Sequence, residues 1–246
     1  MTTAQVVDER RTRRARLLLS CGVVGPPLFV VALLVEGATR SGYSTWRNFG
    51  SQLSTGPWGW TQITNFIACG LLVCCAAVGF RQVLRTGRGS TWGPALVGLF
   101  GVSLVIAGAF VTDPALGYPP GTPKGSGGPQ TWHGTIHGLN ALLCFGSLTV
   151  ACFVFARRFA AEPGARGWAR YSLSMGILQV VLFIVANVTA TLDQNGTLTN
   201  PPTGLLQRVG IVTGWIWLSL VALRELRALP QPVPDAADEH PRTATA

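Results

Sequence analysis

The sequence predicts an all-α polytopic membrane protein, a bundle of six transmembrane helices with both termini cytoplasmic. Three observations carry that expectation. Hydrophobic residues make up 48% of the 246 residues and charged residues only 12%, about half the charged share of a soluble domain. Six apolar runs are each near the ~20 residues that cross a hydrocarbon core of about 30 Å. The third observation is where the 19 Lys and Arg residues fall. With six spans and an inside amino terminus, all but Arg40, Arg47, Lys124 and Arg208 lie on the inner side, as the positive-inside rule requires. Five or seven spans would break that alternation.

Residues 1–16 are expected to form a basic cytoplasmic arm carrying Arg10, Arg11, Arg13, Arg14 and Arg16. The first span, 17–36, is too long for a signal-peptide core, which runs about 7–15 residues, and no small-x-small cleavage site follows it. The other spans fall at 62–81, 92–112, 133–156, 171–191 and 206–224, within a membrane domain of 17–228. Thr131 can cap the fourth helix. The tail 229–246 carries Pro230, Pro232, Pro234 and Pro241 and is expected to be disordered. All six cysteines lie inside apolar runs, where free thiols pack as small hydrophobes and no disulfide framework is implied. A net charge of +9 does not indicate nucleic acid, because the basic residues form short clusters between apolar runs and no folded basic face. Membrane lipids are the expected partners, and the cell membrane the expected location.

The outer loops carry the chemistry. The first, 37–61, holds Tyr43, Trp46, Phe49, Trp58 and Trp60, an interfacial aromatic belt. The third, 113–132, holds five Pro and five Gly and is expected to fold stiffly over the bundle. The fifth, 192–204, holds Asp193. Glu36, Asp113 and Asp193 are assigned to the outer, carboxy-terminal ends of odd-numbered helices, where a carboxylate opposes the macrodipole by about 0.3–1 kcal/mol. His133, His137 and Arg208 occupy first turns of even-numbered helices, where positive charge is equally misplaced. Mutual pairing resolves both objections. The expectation is one polar cluster of Glu36, Arg47, Asp113, His133, His137, Asp193 and Arg208 at the outer mouth, and ionisable groups at membrane depth are functional candidates by default.

His133 and His137 stand at i, i+4, the spacing of helical zinc sites. Asp113 could supply a third ligand and leave a position open for water. The motif lacks the internal Glu of a zinc-protease helix. The competing reading is that the histidines hydrogen-bond Asp113 or loop carbonyls and only clamp the loop.

Several motifs occur together: Glu36 ahead of Arg40-Ser-Gly-Tyr43-Ser44, then Ser51-Gln-Leu-Ser54, Gly56-Pro57-Trp58-Gly59-Trp60 and Asn65-Phe66. Thr112-Asp113-Pro114, Gly117-Tyr118-Pro119-Pro120-Gly121-Thr122-Pro123, His133-Gly134, His137 and Gly204-Leu-Leu-Gln-Arg208 follow. In these the chain resembles the domain-of-unknown-function 998 membrane proteins over about residues 20–225, departing at Asn48-Phe49-Gly50, where the family pattern is more aliphatic. The resemblance implies a multi-spanning bacterial membrane protein with no assigned activity. The reading favoured by the residues is a non-catalytic membrane protein that binds lipid or a partner. The alternative is a metal-assisted hydrolase or transferase at the outer leaflet. In it Asp113, His133 and His137 hold zinc, Arg47 or Arg208 contacts a phosphate, and Glu36 or Asp193 accepts a proton. An Asp followed by a two-His helix resembles, by analogy only, the alkaline ceramidase superfamily. A small transporter is the third reading, and the weakest. Asn65, Gln179 and Asn187 are sparse midplane polar residues, and no charge marks a pathway through the inner half.

Overall fold

The computed structural model describes residues 3–125 and 128–230, and the tail beyond residue 230 lies outside the described residues. Six helices follow one another: α1 (Thr3–Thr39), α2 (Gly59–Val83), α3 (Trp92–Ala109), α4 (Trp132–Ala160), α5 (Arg166–Gln194) and α6 (Thr203–Arg227). A short 3-10 turn, Gly50–Ser54, lies between α1 and α2, and no strand occurs among the described residues. All six helices are long and apolar enough to cross a membrane, as expected.

Two boundaries differ from the sequence reading in ways that matter. Residues 3–16, within the expected basic arm, form the first four turns of α1, which continues unbroken through Pro26-Pro27. Helix α3 stops at Ala109, where Phe110 turns extended at φ −113°, ψ 94°. Its 18 residues still span about 27 Å at 1.5 Å per residue. Asp113 therefore lies in the loop and not on α3.

Each helix packs on its neighbours in sequence, and α6 returns to α1, so the six close into a ring. Leu19, Val73, Phe80, Val97, Phe155 and Trp217 are buried in its interior. Leu17, Val31, Leu139, Leu142, Ile177 and Ile184 are exposed on its outside, as helices facing lipid require. Small residues let the backbones close. A Cβ on Gly70 of α2 would lie 2.7 Å from the Gly101 carbonyl oxygen of α3, a contact only glycine permits.

The ring has two unlike ends. One carries the turn 84–91, with Arg85 and Arg88, the turn 161–165, flanked by Arg157, Arg158 and Arg166, the start of α1 and the end of α6. There Glu162 and Glu225 converge on Arg224, at 2.6 and 2.5 Å, with the guanidinium 4.4 Å over the Phe159 ring. The other end is covered by segments 40–58, 110–125, 128–131 and 195–202.

Candidate functional site

The covered end is a cap stitched by charge and amide groups. Arg47 clamps Asp193 with two bonds, Nε to Oδ2 at 2.5 Å and Nη2 to Oδ1 at 2.8 Å, and its Nη2 also donates to the Lys124 carbonyl at 2.7 Å. One guanidinium thus joins the first and third loops to the end of α5. Arg40 donates to Glu36 at 3.1 Å and to Thr61 Oγ1 and the Trp58 carbonyl at 2.6 Å each, tying α1 to the start of α2. Arg208, buried on α6, donates from Nη1 to the carbonyls of Thr45, Asn48 and Gly204 at 2.8–2.9 Å and from Nη2 to the Tyr43 hydroxyl. Tyr43 in turn donates to the Phe49 carbonyl at 2.9 Å. Burial pushes its phenol up to about 12.

Aromatic and amide contacts complete the cover. Tyr118 meets Tyr43 edge-on at 5.0 Å, Asn48 Nδ2 donates to the Leu116 carbonyl at 3.1 Å, and Gln52 Nε2 donates to the Ala115 carbonyl. The Pro/Gly-rich loop is folded down onto the first loop, with Leu116 and Tyr118 buried. Trp58 and Trp60 are exposed at the rim, and Trp46 binds the Asn200 carbonyl at 3.0 Å.

The expected single cluster divides into separate units. Arg47 does pair with Asp193. Glu36, however, is held by Arg40, a partner the sequence reading did not choose, and Arg208 organises backbone carbonyls. Asp113 takes up a different role. Its Oδ2 accepts from Thr131 N at 2.9 Å and its Oδ1 from Thr131 Oγ1 at 2.6 Å, while Thr131 Oγ1 accepts from Gly134 N at 3.1 Å. The carboxylate therefore lies over the amino terminus of α4, where the macrodipole favours it. Thr131 caps α4 as expected. His133 is exposed and stacked on Trp132 at 3.6 Å, whereas His137 is buried, with Nδ1 2.8 Å from the Phe110 carbonyl oxygen. Among the described residues, no group of three His, Cys, Asp or Glu is gathered to hold a metal.

Beneath the cap is a cavity of about 230 Å³ to which all six helices contribute. Phe66, Phe100, Phe183 and Trp215 supply much of its apolar wall, and Gln62, Asn140, Gln179, Gln207 and His137 its polar one. Two of these amides carry a fully buried atom with no partner. Gln62 is fully buried and its Nε2 has no partner; Asn140 is 4% exposed and its Oδ1 has none. Their other atoms are engaged: Gln62 Oε1 accepts from Asn65 Nδ2 at 3.1 Å, and Asn140 Nδ2 donates to the Ser103 carbonyl at 2.8 Å. The cavity reaches the bundle surface between α4 and α5, where its lining residues Gly138 and Asn187 are exposed. The sequence reading weighed Gln179 and Asn187 only as sparse midplane polarity and missed Gln62, Asn140 and Gln207. The available signal was the cost of an amide inside an apolar span, which must find a partner.

Fold and site together define a class: a multi-spanning helical membrane protein with a loop-built cap over an intramembrane cavity. Residues 23–224 match the family described as a protein of unknown function, DUF998, and the chain belongs to that family. No curated protein and no solved structure matches it.

Proposed function

We propose that this chain is a non-catalytic protein of the cell membrane that binds an amphiphile in the cavity beneath its cap. The observation that carries the reading is the pair of buried, unpartnered polar atoms, Gln62 Nε2 and Asn140 Oδ1, in a mostly apolar chamber. An unsatisfied buried polar atom costs about 1–3 kcal/mol. An apolar pocket with a few convergent polar groups is the usual form of a small-molecule site. The ionisable groups of the cap support the non-catalytic side of the reading. Arg47 and Asp193 neutralise each other, Arg208 is committed to carbonyls, and both Asp113 oxygens serve Thr131.

The test is native mass spectrometry of the protein extracted in two different detergents. An adduct of one constant mass in both supports the reading. Detergent-dependent adducts, or bare protein in both, overturn it. The proposed orientation has the cap outside and both termini cytoplasmic, on the arginine asymmetry. Reporter fusions after residue 120 and after residue 246 should give opposite readouts, and equal readouts reverse that part.

A further inference from the structure

We infer that the occupant is an uncharged, single-chain amphiphile with a hydroxyl-bearing head, which enters sideways between α4 and α5. This rests on the binding reading above and adds the head chemistry, the chain count and the route.

The head chemistry follows from the lining. Among the described residues no Asp, Glu, Lys or Arg lines the cavity. A phosphate or carboxylate head placed there would be an unpaired ion away from water, which is expensive. The unpartnered groups of the lining include a donor, Gln62 Nε2, and an acceptor, Asn140 Oδ1. A hydroxyl suits such a lining because it accepts through a lone pair and donates its proton. His137 adds to this set. If Nδ1 carries the hydrogen bonded to the Phe110 carbonyl, Nε2 is left as a second acceptor.

The chain count follows from volume. A cavity of about 230 Å³ lies below the roughly 300–1,000 Å³ of sites that enclose a drug-sized ligand, too little for a head from which two acyl chains start. It takes the head and the first part of one chain, and the rest must lie outside. The route follows from Gly138. A Cβ there would meet nothing within 4 Å, although the residue lines the cavity. Asn187 on α5, the least buried span, is the cavity's other exposed lining residue. One turn or more deeper, the Phe145 and Phe183 rings close the seam at 5.3 Å. The opening therefore lies near the capped end, at the depth of one leaflet.

The test uses the full chain in nanodiscs and three brominated probes: dibromostearyl alcohol, dibromostearate and a dibromostearoyl phosphatidylglycerol. Trp215 lines the cavity and reports occupancy by fluorescence quenching. The alcohol should quench saturably, and Trp215→Phe should abolish that component. Dibromostearate and the phosphatidylglycerol should bind at least tenfold more weakly. Gln62→Met and Asn140→Leu should each weaken the alcohol at least fivefold, and Gly138→Leu should slow its association at least tenfold. Anionic probes binding as tightly as the alcohol would overturn the head assignment while leaving the amphiphile reading intact. An unchanged affinity in both amide variants would overturn it too, and an unchanged rate in Gly138→Leu would overturn the route. No saturable quenching by any probe, together with bare protein in the mass spectrum, would remove both this inference and the reading beneath it.

Discussion

Replacing Arg47 with Ala should destabilise the protein more than replacing its partner Asp193, and the difference can be worked from the structure. The Asp193 side chain is 2% exposed and that of Arg47 15%. Arg47→Ala strands a buried carboxylate at the carboxy end of α5, where the helix dipole also opposes it. Breaking a buried pair from one side costs about 3–5 kcal/mol, and about 2–4 °C of Tm per kcal/mol applies to chains of this size, so a fall of about 6–20 °C is expected. Asp193→Ala leaves a guanidinium that keeps the Lys124 carbonyl and can reach water. It also removes an acid that opposed the α5 dipole by about 0.3–1 kcal/mol. Its loss should be the smaller one. The double variant Arg47→Met/Asp193→Leu removes both charges and should recover to within about 1–2 kcal/mol of wild type. The assay is thermal unfolding of the four proteins in one detergent at one protein concentration. An equal or larger loss in Asp193→Ala, or single losses that simply add in the double, would refute the reasoning.

At the start of α4, Thr131→Ala should cost about 1 kcal/mol as a lost N-cap, while Thr131→Ser should retain most of it. Gly134→Ala should cost more, although Gly→Ala inside a helix ordinarily stabilises by up to about 1 kcal/mol, because the new Cβ would lie 1.9 Å from Asp113 Oδ2. A Gly134→Ala protein as stable as wild type would place the Asp113 carboxylate elsewhere. Tyr43 gives a pH dependence. Burial raises its phenol from 10 to about 12, so the unfolded chain releases that proton first. Its contribution is whole below pH 10 and declines as pH rises to about 12. Tyr43→Phe should flatten that part of the alkaline stability profile, and an unchanged slope would count against a buried neutral phenol.

Six apolar spans, the order of the helices and the Thr131 cap were legible because hydropathy, length and capping chemistry are local. The Arg47–Asp193 pair was legible only as one of four, Arg47 or Arg208 with Glu36 or Asp193, and for another reason. A charge set against its own helix dipole advertises a missing partner, and Asp193 had few cations within reach. The same argument misled at Asp113. It depended on where α3 ends, and a shift from residue 112 to Ala109 moves the carboxylate from an opposing dipole to the favourable end of α4. Glu36 found Arg40 one turn away, an i, i+4 contact that the search for distant partners passed over. Gln62 and Asn140 were visible as amides in apolar runs. Their convergence was not, because no periodicity states which faces of six helices turn toward one chamber.

Two groups of polar residues near the capped end therefore have opposite energetic standing, and a single pair of measurements separates them. Arg47, Asp193, Glu36 and Arg40 are paired within the protein and Arg208 binds three carbonyls, so removing one lowers stability. The amide atoms of the chamber are unsatisfied in the empty protein, so removing one relieves a cost. In Gln62→Met the protein loses the bond from Asn65 Nδ2, but that amide keeps its bond to the Phe29 carbonyl at 3.2 Å. The unpartnered Nε2, carrying about 1–3 kcal/mol of penalty, disappears. The empty protein should then be as stable as wild type, or up to about 2 kcal/mol more so, with binding impaired. Such an inverse relation between stability and function is the mark of a residue kept for a ligand. A Gln62→Met protein that is clearly less stable than wild type when delipidated would assign Gln62 to the packing of the bundle instead.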